Sequence, residues 1–312
     1  MYPSGGRDAP EVLAEMCAEG RLAMAGGFDG VMTSEHHGGV GGYLPNPLQL
    51  AGFLLDETDT GWAAPCPLLL PLRPTALVAE EVAWLAARHP GRVGLGVGSG
   101  ALPLDFEVMG LDVAQAASVF KGRLPRLVEM LKGQALGGLE GDLALARCRD
   151  HPVTVLSAAI SSVAARRAAV CGAGLILEGM SDVARLSRLR GVYRDAGGSL
   201  PVVVVRRVWL GSRQTSQIEG QRGFYQAIQG SDRPLPSDQT VHTDDAAEMV
   251  ERLAEVVRVS GADALNLRVH LPGFASPAIR DQIGRLAAEV LPELRRRLAS
   301  GVGRDPSETD AR

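Results

Sequence analysis

The sequence predicts an α/β protein with a parallel sheet, on the basis of three observations. Short apolar segments alternate with helical segments of about 10 to 18 residues, which is the order that parallel βαβ units require. The chain of 312 residues is long enough for one α/β barrel, which takes about 250 residues, or for a doubly wound sheet. The G-x-G-x-x-G pattern of dinucleotide-binding sheets does not follow the first strand. The residues favour a barrel and leave the doubly wound sheet as the alternative.

The individual elements follow from periodicity and from breaker residues. Apolar residues recur at helical spacing in the first helix, which Gly26 and Gly27 end. The predicted strands lie near residues 31, 66, 95, 155, 176, 204 and 267, one fewer than the eight strands of a complete barrel. The predicted helices cover 10–25, 46–57, 74–89, part of 101–133, 162–171, 181–196, 245–259 and 276–299.

The composition restricts the class of protein. A net charge of -4 and a pI near 5.9 indicate no basic surface for nucleic acid. The four cysteines are far apart, which argues against a zinc site and a disulfide framework and favours a reducing cytosol. No apolar run approaches the roughly 18 residues of a membrane span, and no signal pattern is present. We therefore expect one cytoplasmic domain, 1–299, with a disordered tail, 300–312.

The polar run Glu35-His36-His37 is the first place to expect chemistry. It follows a short buried strand and precedes a glycine-rich loop, 38–42. Three ionisable side chains in a row are costly to bury without partners, and ligands of α/β proteins bind at the carboxyl ends of strands. Strand alternation places His36 on one face and its two neighbours on the other. We predict a functional His36, with a structural histidine as the alternative, and structural roles for Glu35 and His37.

Alternating glycines mark the strand near residue 95. Gly94, Gly96, Gly98 and Gly100 would share one face of this strand, with apolar residues on the other face. A strand face without side chains indicates that something bulky lies against it. We expect that neighbour to be either a side chain of the adjacent strand or a flat ligand.

Three segments carry a resemblance to a known family. They are GFDGVMTSEHHGGVGGYLPNPLQLAGFLL (27–55), PCPLLLPLRPTALVAEEVAWL (65–85) and GRVGLGVGSGALPLDFEVMG (91–110), with a weaker match at 157–179. Together these segments resemble the bacterial luciferase-like flavin monooxygenases. The resemblance implies a (β/α)8 barrel of the TIM type that uses a reduced flavin, FMN or the deazaflavin F420, at its C-terminal mouth.

The resemblance also accounts for the missing eighth strand. Members of the family begin with a short apolar strand, and Met1 falls where the loop after that strand should start. We therefore expect a barrel that lacks its first strand, through a misassigned start codon or a degenerate sequence. Such a barrel would leave an unpaired edge, to be covered by the tail, a partner chain or a distortion.

The resemblance implies that two strand ends contact the flavin. Cys66-Pro67 lies where relatives carry a cis peptide that bulges toward the flavin ring, and an ordinary trans proline is the alternative. Gly98, Ser99 and Gly100 lie where luciferases carry a cysteine and an arginine that grips the flavin phosphate. Ser99 still offers a hydrogen bond at this position, but the charge is lost.

A serine-rich helix start is the predicted phosphate site. Ser157, Ser161 and Ser162 precede a predicted helix, and the amides and hydroxyls of such a start bind phosphate. The position of these serines in the family pattern favours this role. A plain helix cap is the alternative.

Residues near the ends of the last two predicted strands are the predicted substrate contacts. They are Arg207, Trp209, Arg268 and His270. Arg268 and His270 alternate with apolar residues, so they would face into the barrel. A buried ion network with Glu178 is the alternative for these two. The polar segment 211–244 between the strands has the length of a functional lid or a disordered loop.

These observations together predict a flavin-dependent monooxygenase that oxygenates a small organic substrate, with His36 as its catalytic acid–base group. An F420-dependent dehydrogenase on the same barrel and a non-catalytic partner subunit are the alternatives. We also expect a homodimer, a flavin reductase as a partner, no bound metal, and no interaction with nucleic acid or membranes.

Overall fold

The strands form the frame on which the site is built. The computed structural model describes residues 8–39, 43–228, 237–271 and 273–301. The strands of this part of the chain are β1 (Gly30–Thr33), β2 (Trp62–Pro65), β3 (Leu68–Leu69), β4 (Leu95–Gly98), β5 (Val155–Ala159), β6 (Gly174–Leu177), β7 (Val202–Leu210), β8 (Val241–Thr243) and β9 (Ala264–Arg268).

Helices alternate with these strands, as the sequence predicts. The α-helices are α1 (Ala9–Ala25), α2 (Pro47–Asp56), α3 (Thr75–Arg88), α4 (Pro103–Glu107), α5 (Ala116–Met130), α6 (Leu143–Arg147), α7 (Ser162–Val170), α8 (Val183–Asp195), α9 (Thr215–Ile228), α10 (Ala246–Ser260), α11 (Ser276–Arg285) and α12 (Leu291–Gly301). Short turns of other helical types cover Leu70–Leu72, Val113–Gln115 and Leu286–Val290. A search of the described residues finds no helix with both the length and the apolar character of a membrane span.

Capping residues set several helix boundaries. The side chain of Asp8 accepts a hydrogen bond from Ala9 N, and Glu11 closes a capping box at the start of α1. Asn46 caps α2 by accepting from Gln49 N at 3.1 Å. These local contacts explain why the predicted boundaries of the first two helices agree with the structure to within about two residues.

The strands pair in parallel along one path. β1 pairs with β2, and β3, β4, β5, β6 and β7 pair in sequence. β7 is long enough to pair with β9 through residues 203–207 and with β8 through residues 208–210. β2 and β3 are two parts of a single predicted strand, and both lie beside β4.

The ends of this path are β1 and β9. In the described chain β1 pairs only with β2 and β9 only with β7, so no described strand lies between them. This agrees with the prediction of a barrel without its first strand. Helices link the two edges: Glu19 on α1 accepts a hydrogen bond from Ser276 on α11 at 2.5 Å and lies 2.8 Å from His270 Nε2, just after β9. Within the described residues this link comes from α1, and covering of the gap by the tail or by a partner chain stays a prediction.

The segment 211–244 differs from the prediction. It contains the 14-residue helix α9 and the three-residue strand β8, whereas the sequence predicted a loop. β8 is too short to show an alternating pattern, and the many polar residues of α9 conceal its period. Residues 229–236 of this segment lie outside the described residues, as do residues 302–312 of the predicted tail. α12 continues to Gly301, so it extends into the predicted tail.

The apolar residues fall into layers on the two faces of the sheet. We use "inner cluster" for the small group that includes Cys66, Leu156, Ile176 and Val203, with Met32, Ala158 and Val205 packed against it. The larger cluster lies between the other face of the sheet and the helices, and it contains Val202 and Val204 of β7. Because β7 alternates between the two layers, Arg207 and Trp209 fall on the inner face with Val203 and Val205.

The glycine face of β4 lies against β2 and β3. A Cβ atom on Gly96 would lie 2.0 Å from Sγ and 2.8 Å from Cβ of Cys66, and one on Gly98 would lie 3.2 Å from Cβ of Pro67. Of the two expected neighbours, the structure therefore has the side chain of the adjacent strand. Gly96 is required so that Cys66 can pack this closely.

Replacing Gly96 with alanine should destabilise the fold. Gly96→Ala should lower the free energy of unfolding by about 1–3 kcal/mol, because overpacking must displace Cys66 or β4. Gly122→Ala on α5 is the matched control, since no atom lies within 4 Å of its Cβ position. The control should raise the free energy of unfolding by about 0.5–1 kcal/mol. Urea unfolding followed by circular dichroism measures both, and a neutral Gly96→Ala would contradict the close packing.

Candidate active site

His36 lies just beyond the end of β1 on the inner face of the sheet. Alternation along the strand puts it on the same face as Met32, which packs against the inner cluster. Nδ1 of His36 lies 2.8 Å from Oδ2 of Asp105. The ring meets Tyr43 edge-on, with 4.6 Å between the ring centroids. The side chain remains 19% exposed, so one edge of the imidazole is open to a ligand.

Asp105 on α4 is the partner that orients His36. Its side chain is fully buried, and its second oxygen accepts a hydrogen bond from His37 N at 2.7 Å. When a neutral imidazole donates from Nδ1 to a carboxylate, Nε2 is left as a hydrogen-bond acceptor. Nε2 of His36 makes no hydrogen bond to any described residue. The pair therefore presents a base to the inner face.

Sequence reasoning missed Asp105 as a site residue. It occurs in the sequence DFEVMG, at the end of the segment 91–110 that carries the family resemblance. It is 69 residues from His36, and no local periodicity links two residues so far apart. The signal that the sequence offered is a lone acid between the apolar residues Leu104 and Phe106, and the structure shows that this acid is buried.

Glu35 and His37 are structural, as predicted. Glu35 is 1% exposed, and its Oε2 accepts a hydrogen bond from Leu69 N at 2.6 Å. Its Oε1 lies 2.8 Å from His37 Nε2 and 3.3 Å from Arg73 Nη2. Glu35 thus holds both a backbone amide and an arginine. These bonds join the end of β1 to β3.

The peptide bond between Cys66 and Pro67 is cis, one of the two expected forms. Burial raises the pKa of the Cys66 thiol to about 12, so the thiol stays protonated near neutral pH.

Beyond the end of β4, the hydroxyl of Ser99 donates to the carbonyl of Gly100 at 3.3 Å. Gly100 has φ +73, and a Cβ there would lie 2.9 Å from the ring of Phe106.

The three predicted phosphate serines have different positions. Ser161 is the N-cap of α7 and accepts a hydrogen bond from Ala164 N at 3.3 Å. Ser162 is the first residue of α7, at the carboxyl end of β5. Ser157 is 1% exposed and lies on the strand face of Val155 and Ala159, which belong to the cluster beneath the helices. The structure therefore brings Ser161 and Ser162, but not Ser157, to the helix start.

Arg185 brings a positive charge to this helix start. It lies on α8, and its Nη2 donates to the carbonyl of Ile160 at 2.7 Å. Ile160 directly precedes the N-cap Ser161. The sequence showed that an arginine is missing near Ser99, but it did not predict that Arg185 supplies a positive charge. Arg185 lies on α8, after the next strand β6, so its proximity to α7 is a tertiary contact.

Arg207 and Arg268 are paired across neighbouring strands. β7 and β9 are in register, with Arg207 and Arg268 as Cα partners. Nη2 of Arg268 donates to the hydroxyl of Tyr43, which lies 2.7 Å from the hydroxyl of Tyr225 on α9. Since Tyr43 also contacts His36, the structure brings both predicted arginines and the predicted catalytic histidine into one region. Neither tyrosine was expected there.

His270 and Trp209 have structural partners. Burial lowers the pKa of His270 despite its bond to Glu19. Burial also raises the pKa of Glu19, but the hydrogen bonds from His270 and Ser276 outweigh it, so that this pKa lies below its ordinary value. The carboxylate beside His270 is thus Glu19 and not Glu178, which was the partner in the alternative interpretation of His270 and Arg268. Trp209 packs on Phe274, with 4.6 Å between ring centroids.

A comparison with protein families identifies the chain. The model of one family, described as luciferase-like monooxygenase, matches residues 2–208. The chain belongs to the luciferase-like monooxygenase family. This membership confirms the resemblance carried by the segments around His36, Cys66 and Gly98.

The uncharacterized protein Rv0940c of Mycobacterium tuberculosis is 32% identical over 148 residues, which cover 43% of this chain and 49% of that protein. The chain thus spans about half the length of this curated relative.

Solved structures with the same fold include enzymes that carry different cofactors. One is the oxygenating constituent of 3,6-diketocamphane monooxygenase of Pseudomonas putida in complex with FMN, with a TM-score of 0.72, 18% identity, and 94% and 96% of the two chains covered. Another is an F420-dependent secondary alcohol dehydrogenase in complex with an F420–acetone adduct, with a TM-score of 0.72, 18% identity, and 91% and 95% covered. At this identity the likeness shows the fold, an α/β barrel of the TIM type.

Replacing His37 should cost stability because its side chain bonds a buried carboxylate. His37→Ala should lower the free energy of unfolding by about 1–3 kcal/mol, since it removes the hydrogen bond to Glu35. His151→Ala is the control: His151 is exposed, and its substitution should change the free energy by less than about 0.5 kcal/mol. Urea unfolding measures both. Equal effects of the two substitutions would contradict the structural role of His37.

Proposed function

We propose that this protein is a flavin-dependent monooxygenase that oxygenates a small organic substrate with reduced FMN. The observation that carries the proposal is the His36–Asp105 pair, which presents Nε2 of His36 to the inner face of the sheet. Such a base has no evident structural purpose, because its open edge contacts no described hydrogen-bonding group. Membership of the luciferase-like monooxygenase family supports an oxidoreductase.

The residues at the mouth fit a flavin. The inner cluster offers an apolar surface for a ring system, with Cys66, Leu156 and Ile176 at its centre. The first turn of α7 offers backbone amides to a phosphate, and Ser161 and Arg185 add a hydroxyl and a positive charge beside it. When bound, a reduced flavin supplies the electrons and the activation of oxygen.

The role of His36 follows from its contacts. Nε2 accepts a proton from the substrate, and the Asp105 carboxylate stabilises the positive charge that develops on the imidazole. Asp105 also holds the ring in one orientation, because it is itself fixed by the amide of His37. Asp105 is thus a positioning residue, and His36 is the group that touches the substrate.

F420-dependent dehydrogenation is the second candidate, supported by the likeness to an F420-dependent secondary alcohol dehydrogenase. The same His36–Asp105 pair would take the hydroxyl proton of an alcohol. A non-catalytic partner subunit is less well supported, because it has no need of an oriented base. A flavin reductase as the source of reduced flavin and a homodimer stay predictions.

Substitution of His36 or Asp105 should abolish most of the activity. His36→Ala should lower turnover by about 10²–10⁴-fold, which is the usual contribution of a positioned acid–base group. Asp105→Asn should also lower it, because an amide NH₂ facing Nδ1 selects the tautomer that carries its proton on Nε2. Reduced FMN is supplied by a flavin reductase, and incorporation of labelled oxygen into a panel of small organic acids and ketones is measured. Flavin affinity should change little, and His151→Ala should remain fully active. Normal turnover by His36→Ala would make the assignment of the base wrong.

A negative charge introduced at the start of α7 tests the proposed phosphate site. Ser161→Asp keeps a good helix cap but places a negative charge where the phosphate would bind. It should weaken FMN binding by about tenfold or more and leave riboflavin binding unchanged, because charge repulsion acts only on the phosphate. Titrations of FMN, riboflavin and F420, followed by absorbance and fluorescence, measure this and establish which cofactor binds. Equal losses for FMN and riboflavin would exclude the phosphate role.

A further inference from the structure

Two arginine side chains share the inner face of the sheet, and neither has a carboxylate partner in the part of the chain that the structure describes. Arg207 and Arg268 are register partners on β7 and β9, so their side chains lie beside each other. Arg268 donates to the hydroxyl of Tyr43, and Arg207 donates through Nη2 to Oε1 of Gln221 on α9. These partners are neutral. Neither guanidinium forms an ion pair with any described carboxylate.

The charge balance of this region is positive. Asp238 is the carboxylate that acts on Arg207 from a distance, but its oxygens are engaged by Arg213 at 3.2 Å and by Thr240. Burial and the positive charge of Arg268 lower the pKa of Arg207 to about 10. Electrostatic interaction with Tyr43 raises the pKa of Arg268. Both guanidinium groups therefore stay charged at neutral pH.

Arg207 also has a buried hydrogen-bond donor without an acceptor. Its Nε is inaccessible to solvent and has no hydrogen-bond partner among the described residues. The neighbouring Arg206, which points to the other face of β7, is different. It donates to the carbonyls of Gly179 and Ser181. Burial lowers the pKa of Arg206, and the nearby carboxylate of Glu178 acts in the opposite direction. Both Nη atoms of Arg206 thus donate to carbonyl groups, whereas Nε of Arg207 has no partner among the described residues.

We propose that Arg207 and Arg268 bind an oxyanion of the substrate, a carboxylate or a sulfonate, and that the substrate is therefore an organic acid. This inference rests on the proposed function and names the class of molecule on which it acts. Two guanidinium groups side by side can each donate to an oxyanion, and the bonds are stronger than those between neutral groups. A neutral substrate would leave two buried charges unpaired, which is costly.

The position of the pair relative to His36 fits a bound acid. Tyr43 contacts the ring of His36 and bonds Arg268, so one aromatic side chain separates the anion site from the base. An acid anchored on the arginines would extend its carbon chain past Tyr43 toward Nε2 of His36. The anchoring group and the reacting carbon are then different parts of the substrate, and binding at the first positions the second.

The phosphate of the cofactor is the other possible source of an oxyanion. Its proposed site is the start of α7, which follows β5, whereas the arginines lie on β7 and β9. β6 separates β5 from β7 in the sheet. Two anion sites on different strands therefore favour two anionic groups, one on the cofactor and one on the substrate.

The test is an equilibrium titration that needs neither flavin nor oxygen. Hexanoate and hexanesulfonate are compared with hexanamide, which has a similar shape and no charge, by calorimetry on the purified chain. Wild-type protein should bind the two anions at least about tenfold more tightly than the amide. Arg207→Gln and Arg268→Gln should each weaken the anions by about 10- to 100-fold and leave hexanamide unchanged. Arg258→Gln on α10 is the matched control, because Arg258 is exposed and pairs only with Glu255 on its own helix.

The outcomes separate this inference from the proposed function. If wild-type protein binds the anions no more tightly than hexanamide, the inference is wrong, and this comparison requires no variant that might misfold. If the two arginine variants lose affinity for FMN but not for riboflavin, the pair serves the cofactor phosphate and the substrate assignment is wrong. If the anions bind as expected but the chain binds neither FMN nor F420, the anion site stands and the flavin-dependent activity fails.

Discussion

The buried carboxylate of Asp105 is the contact on which the candidate site depends. A carboxylate without exposure to water is tolerated only when its oxygens are hydrogen-bonded, and here they bond Nδ1 of His36 and the amide of His37. The same two bonds fix the end of β1 relative to α4. Orientation of the base and attachment of the strand end are therefore a single structural feature, and neither can be lost without the other.

The site lies where the sheet has its two ends. His36 follows β1, Arg268 ends β9, and Tyr43 contacts both. Among the described residues, β1 and β9 do not pair with each other, and no strand lies between them. Instead, α1 and α11 link these two edges through Glu19, His270 and Ser276. Side chains rather than ladder hydrogen bonds thus define the distance between the two halves of the site. This explains why charged and aromatic residues are concentrated here.

The sequence predicted the repeating part of the fold correctly. Alternation of apolar residues along β1 and β9 predicted that His36 and Arg268 face inward, because neighbouring side chains in a strand must point to opposite faces. The glycine face of β4 predicted a bulky neighbour, and Cys66 is that neighbour. The segment 211–244 was predicted as a loop because the short β8 and the polar α9 have weak periodicity.

The sequence by itself therefore determined the parallel α/β architecture, the facing of the strand residues and the structural roles of Glu35 and His37. These properties depend on contacts between near neighbours or on a repeating pattern that one strand contains. The tertiary structure alone decided that Asp105 orients His36, that Arg185 lies beside α7, and that Tyr43 joins His36 to the pair of Arg207 and Arg268. Such partners are up to 225 residues apart, and only the folded sheet brings them together.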